Sequence, residues 1–312
     1  MNRTVRLETN SEAMQALAFN FFEHHQHGNT EEPEFRWRII CESDPQMQTT
    51  AVQLSAFSDH GLRYANIGQR GFLAVDVNLR EAVAFLPDVF LDDDARFRHR
   101  PPLDILFCMT APSLGLAPLS GGCVGVNDRG VLVFGPPNSG KTTACYLAAK
   151  LGLEFHADQV VFLDFNDNDL NCHGMSRRHV LRAWGDPFPA VFRPETLEFL
   201  PELREASKRS TYGDLSFYYY DKSTLQAPQT RPVTPICSLF LDRGTTQHAK
   251  LNEIAPAEAV SRLRDCMLFN EDSRFDAQIT TALNALASIP VYQLQYGNDP
   301  KMAAACIEKL LR

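Results

Sequence analysis

Gly135-Pro136-Pro137-Asn138-Ser139-Gly140-Lys141-Thr142-Thr143 is the stretch on which the reading of this chain turns. It fits the spacing G-x-x-x-x-G-K-[ST], the phosphate-binding loop or P-loop. Glycine at both ends lets backbone N–H groups converge on an anion with no side chain in the way. A helix starting at the loop adds the positive end of its dipole at the same point. Lys141 is long enough to reach β- and γ-phosphates as a point charge, and the Thr142 hydroxyl is a hard oxygen suited to Mg2+. The flanks agree with this. Val131–Phe134 is a short apolar run that reads as a buried strand, and Thr142–Leu151 reads as a helix stopped by Gly152. Strand, loop and helix are the context the motif requires; a Gly/Pro surface turn is the plainer alternative. All nine residues, Gly135 to Thr143, are therefore candidate contacts for a nucleotide, with ATP as the expected one.

The bulk properties narrow the classes. At 312 residues the chain exceeds most single cores, so two domains are expected. A net charge of −8 argues against a nucleic-acid partner or an anionic membrane surface. It does not argue against ATP, because one local field can hold a triphosphate. Met1–Asn10 has no apolar h-region and no run of about 18 apolar residues occurs, so neither a signal peptide nor a membrane span is expected. The eight cysteines, Cys41, Cys108, Cys123, Cys145, Cys172, Cys237, Cys266 and Cys306, are scattered singly without C-x-x-C. They read as reduced thiols of a cytoplasmic protein.

Residues 1–104 read as a small, mostly antiparallel α+β domain. Ser11 caps a helix running to Phe22, with Met14, Leu17, Ala18, Phe21 and Phe22 on one face. His24, His25 and His27 follow; exposed histidines at a helix C-terminus are favoured over a metal cluster. Phe35, Trp37 and Ile39 alternate with charged residues as in a half-buried strand. Ala51–Phe57, Leu62–Ile67 and Gly71–Val77 read the same way, and Asp92–Pro102 reads as a charged, solvated junction.

Residues 105–312 read as the nucleotide-binding domain. Pro101–Leu114 is predicted helical. Ser120–Val126, the turn Asn127–Gly130 and Val131–Phe134 form a hairpin that runs into the loop. Common P-loop proteins instead enter it from a central parallel strand without a tight hairpin ahead. Leu153–Ala157 and Gln159–Leu163 are predicted strands. Asp164–Asp169 fails as a calcium loop, because its sixth position is Asp169 and its twelfth is Met175. Lys208–Gly213 is polar and reads as a loop. Phe217–Tyr220, Pro235–Asp242 and Val291–Gln295 are predicted strands; Ala257–Leu263, Asp276–Ala287 and Lys301–Leu311 are predicted helices.

Phosphoryl transfer also needs a carboxylate to orient the metal or take the acceptor's proton. Asp158 ends the first strand after the loop's helix. A parallel strand adjacent to Val131–Phe134 would bring it beside Lys141 and Thr142, pointing at the mouth of the loop. An ordinary strand-end aspartate is the plainer alternative. On this reading Asp158 and Lys141 are the catalytic candidates, and Thr142 and Asp158 the metal ligands.

The hairpin into GPPNSGKTT, the short helix and Phe155-His156-Ala157-Asp158-Gln159-Val160-Val161 resemble the HPr kinase/phosphorylase family, whose nucleotide-binding core PEP carboxykinase shares. Pro235–Arg243, Ile254–Ala259 and Pro290–Gly297 are similar to that family's C-terminal half, so the likeness spans about residues 105–312, with a weaker one ahead of it. The resemblance implies an α/β fold with a P-loop kinase domain of this type behind a smaller domain. It implies ATP and Mg2+ as cofactors and transfer of the γ-phosphate to a hydroxyl, serine first, of a peptide, protein or small metabolite. It assigns phosphate to Lys141, Mg2+ to Thr142 and Asp158, and the base to Asp158. Gln159 stands where the family has a second acidic residue, and Leu119–Val124 lacks the family's histidine. These departures bear on the phosphorylase reaction and the HPr substrate and leave ATP binding untouched. They also keep open a nucleotide-binding accessory protein with little turnover. A motor or GTP-switch protein is a third reading, disfavoured by the hairpin. The partners expected are a nucleotide and a hydroxyl acceptor, with no nucleic acid and no membrane; a homo-oligomer stays open.

Overall fold

The computed structural model describes residues 4–22, 32–43, 54–59, 61–67, 71–91, 102–164, 181–186, 189–212, 215–222, 225, 231–244, 248–268 and 275–312. His24, His25 and His27, the charged stretch 92–101, most of 164–175 and Cys172 lie outside them. The protein is a mixed α/β fold with several sheets, divided into two compact units. One comprises Met1–Leu114, Phe192–Tyr220 and Glu271–Arg274; the other Gly115–Val191, Asp221–Asn270 and Phe275–Arg312.

The first unit holds β1 (Val5–Thr9), β2 (Phe35–Glu42), β3 (Leu54–Asp59), β4 (Leu62–Ile67), β5 (Gly71–Asp76) and β6 (Glu81–Pro87). They form one sheet in the order β1-β2-β6-β5-β4-β3. β1 with β2 and β2 with β6 are parallel and the other pairs antiparallel, so the sheet is mixed at one end. Period-two patterning explains the burial. Phe35, Trp37 and Ile39 of β2 are buried, as are Ala82 and Ala84 of β6 and Leu73 and Val75 of β5. The helix Glu12–Phe21 buries Met14, Leu17 and Ala18; the Ser11 hydroxyl caps it by accepting the Met14 N–H at 3.2 Å. Arg63 is buried and donates to the Met109 carbonyl at 2.6 Å, in the last turn of the helix Pro102–Thr110, where positive charge is favoured.

The second unit begins with β7 (Leu116–Ser120), β8 (Gly122–Val126) and β9 (Arg129–Phe134). The expected strand from Ser120 is two strands that part at Gly121, where an added Cβ would stand 2.7 Å from the Phe134 ring. The β8–β9 hairpin is as expected. Asn127 (φ 50°) and Asp128 (φ 62°) both sit in the left-handed region that a two-residue hairpin turn needs. The helix Lys141–Lys150 follows and is stopped by Gly152 at φ 94°. Then come β10 (Glu154–Ala157), β11 (Val160–Asp164), β12 (Arg182–Trp184) and β13 (Ala190–Phe192).

In the first unit, β14 (Ser207–Tyr212) and β15 (Leu215–Tyr220) form an antiparallel hairpin. This corrects the loop expected at Lys208–Gly213. Its polar residues give no apolar period, and the strand is paired in register with β15, Lys208 opposite Tyr219 and Arg209 opposite Tyr218. The second unit resumes with β16 (Thr234–Arg243), β17 (Lys250–Glu253), the helices Pro256–Asp265 and Asp276–Ala287, β18 (Val291–Tyr296) and the helix Pro300–Leu311.

The main sheet of this unit runs β10-β8-β9-β16-β18-β17. β9, β16 and β18 are parallel; β8 lies antiparallel beside β9 and β10 antiparallel beside β8. This corrects the expected neighbour relation: β10 does not adjoin β9, because β8 lies between them. A second sheet, β12-β11-β7, is antiparallel. Between them lies an apolar core that includes Leu119, Phe134, Val161, Phe240, Leu263 and Leu283, with the Phe134 and Phe240 ring centroids 5.3 Å apart.

Candidate functional site

β9 ends at Phe134 and the helix starts at Lys141, so Gly135–Gly140 joins a doubly paired strand to a helix N-terminus. The turn needs positive φ at Gly135 (144°), Asn138 (67°) and Gly140 (86°). A Cβ at Gly135 would stand 2.6 Å from Ser139 Oγ and 2.7 Å from the Leu241 carbonyl; one at Gly140 would collide with the Tyr296 hydroxyl. That hydroxyl donates to the Ser139 carbonyl at 2.5 Å and ties the loop to the end of β18. Ser139 is buried, and its Oγ has no hydrogen-bond partner among the described residues. Lys141 Nζ folds back to donate to the Gly135 carbonyl at 2.7 Å and the Pro136 carbonyl at 3.0 Å. Burial draws its pKa below the ordinary lysine value. Ser139 N–H closes the turn on the Pro136 carbonyl at 3.2 Å, Ala144 N–H bonds the Gly140 carbonyl at 2.8 Å as the helix begins, and no described side chain caps that helix.

The packing at Gly140 makes a first prediction. Gly140→Ala combines left-handed strain with a clash on Tyr296, and is expected to remove about 1–3 kcal/mol of stability. Tyr296→Phe in the same chain relieves the clash but not the strain, so the urea midpoint should recover only in part.

Asp158 is buried, not turned into solvent. It follows β10, the Thr142 hydroxyl helps to hold its pKa down, and its Oδ1 has no hydrogen-bond partner among the described residues. Val191 N–H donates to its Oδ2 at 3.4 Å, and Lys222 Nζ lies 3.4 Å from its Oδ1. Lys222 pairs more closely with Asp186, 2.5 Å from its Oδ1. Asp186 Oδ2 in turn accepts the N–H groups of Val160 (3.0 Å) and Gln159 (3.3 Å). Gly185 lets this segment press on β10: any Cβ there would overlap the His156 backbone. Burial raises the Asp158 pKa to about 6; the Lys222 ammonium opposes that rise and the Asp186 carboxylate adds to it. For Lys222 burial favours the neutral form, but Asp186 and Asp158 outweigh it and its pKa stands above the ordinary value.

The fold thus brings the loop, Lys141, Thr142 and Asp158 together, although by a different strand order from the one expected. Asp186 and Lys222 were not legible. Asp186 stands in Trp184-Gly185-Asp186 and Lys222 beside Asp221 in Tyr220-Asp221-Lys222, and neither has a spacing relation to the loop. Gln159, at the family's second acidic position, uses its amide to donate to the Pro189 carbonyl at 3.0 Å. Tyr296 belongs to the Pro290–Gly297 stretch that carried the resemblance, and its visible job is support of the loop.

These residues fit a nucleotide phosphate and Mg2+. The turn has glycine where any Cβ would collide, and the helix N-terminus behind it lacks a side-chain cap. Thr142 and Asp158 offer two hard oxygens, and Mg2+ takes only one or two protein ligands while keeping its waters. Among the described residues, Cys41, Cys108, Cys123, Cys145, Cys237, Cys266 and Cys306 are free thiols, and burial pushes the Cys123 and Cys145 thiols up. No described helix is long and apolar enough to cross a membrane.

No family model matches the chain, and no curated protein matches it. Among solved structures it is similar to the Hpr(Ser) kinase/phosphatase from Coxiella burnetii, at 10% identity over 62% of this chain and 88% of that one, with a TM-score of 0.29. A likeness that loose assigns no residue a role.

Proposed function

We propose that this chain is an ATP- and Mg2+-dependent kinase that transfers a γ-phosphate to a hydroxyl, with serine of a peptide or protein as the first acceptor class and a small metabolite as the second. The observation that carries the reading is a glycine cradle leading into the N-terminus of the helix that bears Thr142, with a buried Asp158 carboxyl whose Oδ1 has no hydrogen-bond partner among the described residues. A bound Mg2+ would supply positive charge to neutralise the phosphates there. The loop N–H groups and Lys141 hold the phosphates, Lys141 exchanging the Gly135 and Pro136 carbonyls for phosphate oxygens. Thr142 and Asp158 would hold the metal. Asp158 is ionised above about pH 6, so its carboxylate can take the acceptor's proton at neutral pH.

A second reading, a nucleotide-binding accessory protein with little turnover, draws on two observations. Lys222 already neutralises the Asp158 carboxylate from 3.4 Å and Val191 engages its Oδ2, and the Gln159 amide is taken up by Pro189. Calorimetric titration with ATP, with and without Mg2+, is the first test. Saturable one-to-one binding that tightens with Mg2+ supports a nucleotide site; absence of binding rejects both readings, and turnover then separates them.

A further inference from the structure

We propose that Lys222 is a positioning residue: its ammonium, anchored on Asp186, holds the Asp158 carboxylate against Thr142 and so shapes the metal-binding face of the site. The inference rests on the Mg·ATP reading above. Lys222 is 2% exposed and enclosed, with the ring centroid of Phe155 5.4 Å from Nζ. It stands 3.4 Å from Asp158 Oδ1 and 2.5 Å from Asp186 Oδ1. Two carboxylates that share a neighbour this closely, in a dry pocket, repel each other strongly. The ammonium between them removes that repulsion.

The anchoring is circular. Asp186 is held by the N–H groups of Gln159 and Val160, the two residues that follow Asp158 in the chain. Lys222 then returns from Asp186 to Asp158 itself. Asp158 is thus fixed from the backbone after it, from Lys222 on Oδ1 and from Val191 N–H on Oδ2. Oδ1 nonetheless has no hydrogen-bond partner among the described residues, which leaves it a lone pair for a cation. The charges of the three side chains sum to one negative, which suits a divalent cation beside the Thr142 hydroxyl. Lys222 itself is occupied by carboxylates and stands as support for the ligand, not as a phosphate contact.

The test is the Mg2+ dependence of ATP affinity, read by calorimetry, with the thermal midpoint as a check on folding. Lys222→Met alone strands two buried carboxylates, so the main variant is Lys222→Met with Asp186→Asn, which keeps volume and net charge. The double variant should fold and bind ATP without Mg2+ as the wild type does. Its Mg2+ enhancement should fall by about 10–100-fold, the usual effect of removing a group that orients a metal ligand. Full enhancement in the folded double variant would overturn the proposal and leave Lys222–Asp186 a structural pair, with the Mg·ATP site intact. Should the double variant fail to fold, Asp186→Asn alone decides: enhancement lost at unchanged Mg-free affinity supports positioning, and enhancement kept overturns it. A wild type with no Mg-dependent ATP binding would overturn both this inference and the site reading beneath it.

Discussion

On the proposed reading, Lys141→Ala should lower the affinity for ATP by roughly 10²-fold while the protein stays folded. The ammonium is half-buried, and among the described residues its hydrogen bonds go to the Gly135 and Pro136 carbonyls of the loop itself. Its loss therefore removes little from the core. Against phosphate the same group makes charge-assisted bonds, each worth about 1.5–3 kcal/mol. At about 1.4 kcal/mol per factor of ten, one to two such bonds give the expected drop. Thr142→Ala should act differently. It removes the hydroxyl that meets Asp158, so Mg-free ATP affinity holds while the tightening by Mg2+ is lost. Calorimetry on both variants checks this; equal wild-type affinity in the two would make the loop ornamental.

Asp158→Asn should reduce phosphate transfer by roughly 10²-fold or more, the usual contribution of a general base, and ATP affinity only modestly. The amide keeps the shape, and its oxygen can still accept from Val191. It should also stabilise the fold at alkaline pH. The folded pKa of Asp158, about 6, lies above the ordinary 3.8, so the folded state binds the proton more tightly. Stability therefore declines as pH rises through that window, and above it the charged carboxylate carries a penalty on the order of 1–3 kcal/mol. Asparagine carries no such penalty. The thermal midpoint of Asp158→Asn should exceed that of the wild type at pH 8, with the gap closing toward pH 4. A carboxylate kept only for structural pairing would show the opposite sign. In the wild type, transfer should fall as pH drops through about 6, or lower where a bound cation holds the carboxylate ionised.

The loop was readable because its chemistry is contiguous: nine residues hold the glycines, the lysine and the hydroxyls at fixed spacing. The β8–β9 turn was readable for a similar reason, since Asn127-Asp128 tolerates left-handed backbone. The place of β10 was not, because strand order depends on non-local pairing, and Phe155 looks the same beside β8 as it would beside β9. β1 escaped notice because Val5 and Leu7 are too few to show a period. β14 escaped because its side chains are polar and its partner aromatic. Lys222 and Asp186 are the plainest case. A buried charge is tolerated only where its counter-charges are, and those counter-charges come from distant segments of the chain.

Transfer of labelled γ-phosphate from Mg·ATP is the most direct measurement, with serine-containing peptides and a metabolite extract as acceptors and Asp158→Asn in parallel. The account predicts label in an acceptor hydroxyl with the wild type, dependent on Mg2+ and reduced at least about 10²-fold in the variant. A wild type that binds Mg·ATP yet transfers no more label than Asp158→Asn would contradict it and leave a nucleotide-binding accessory protein.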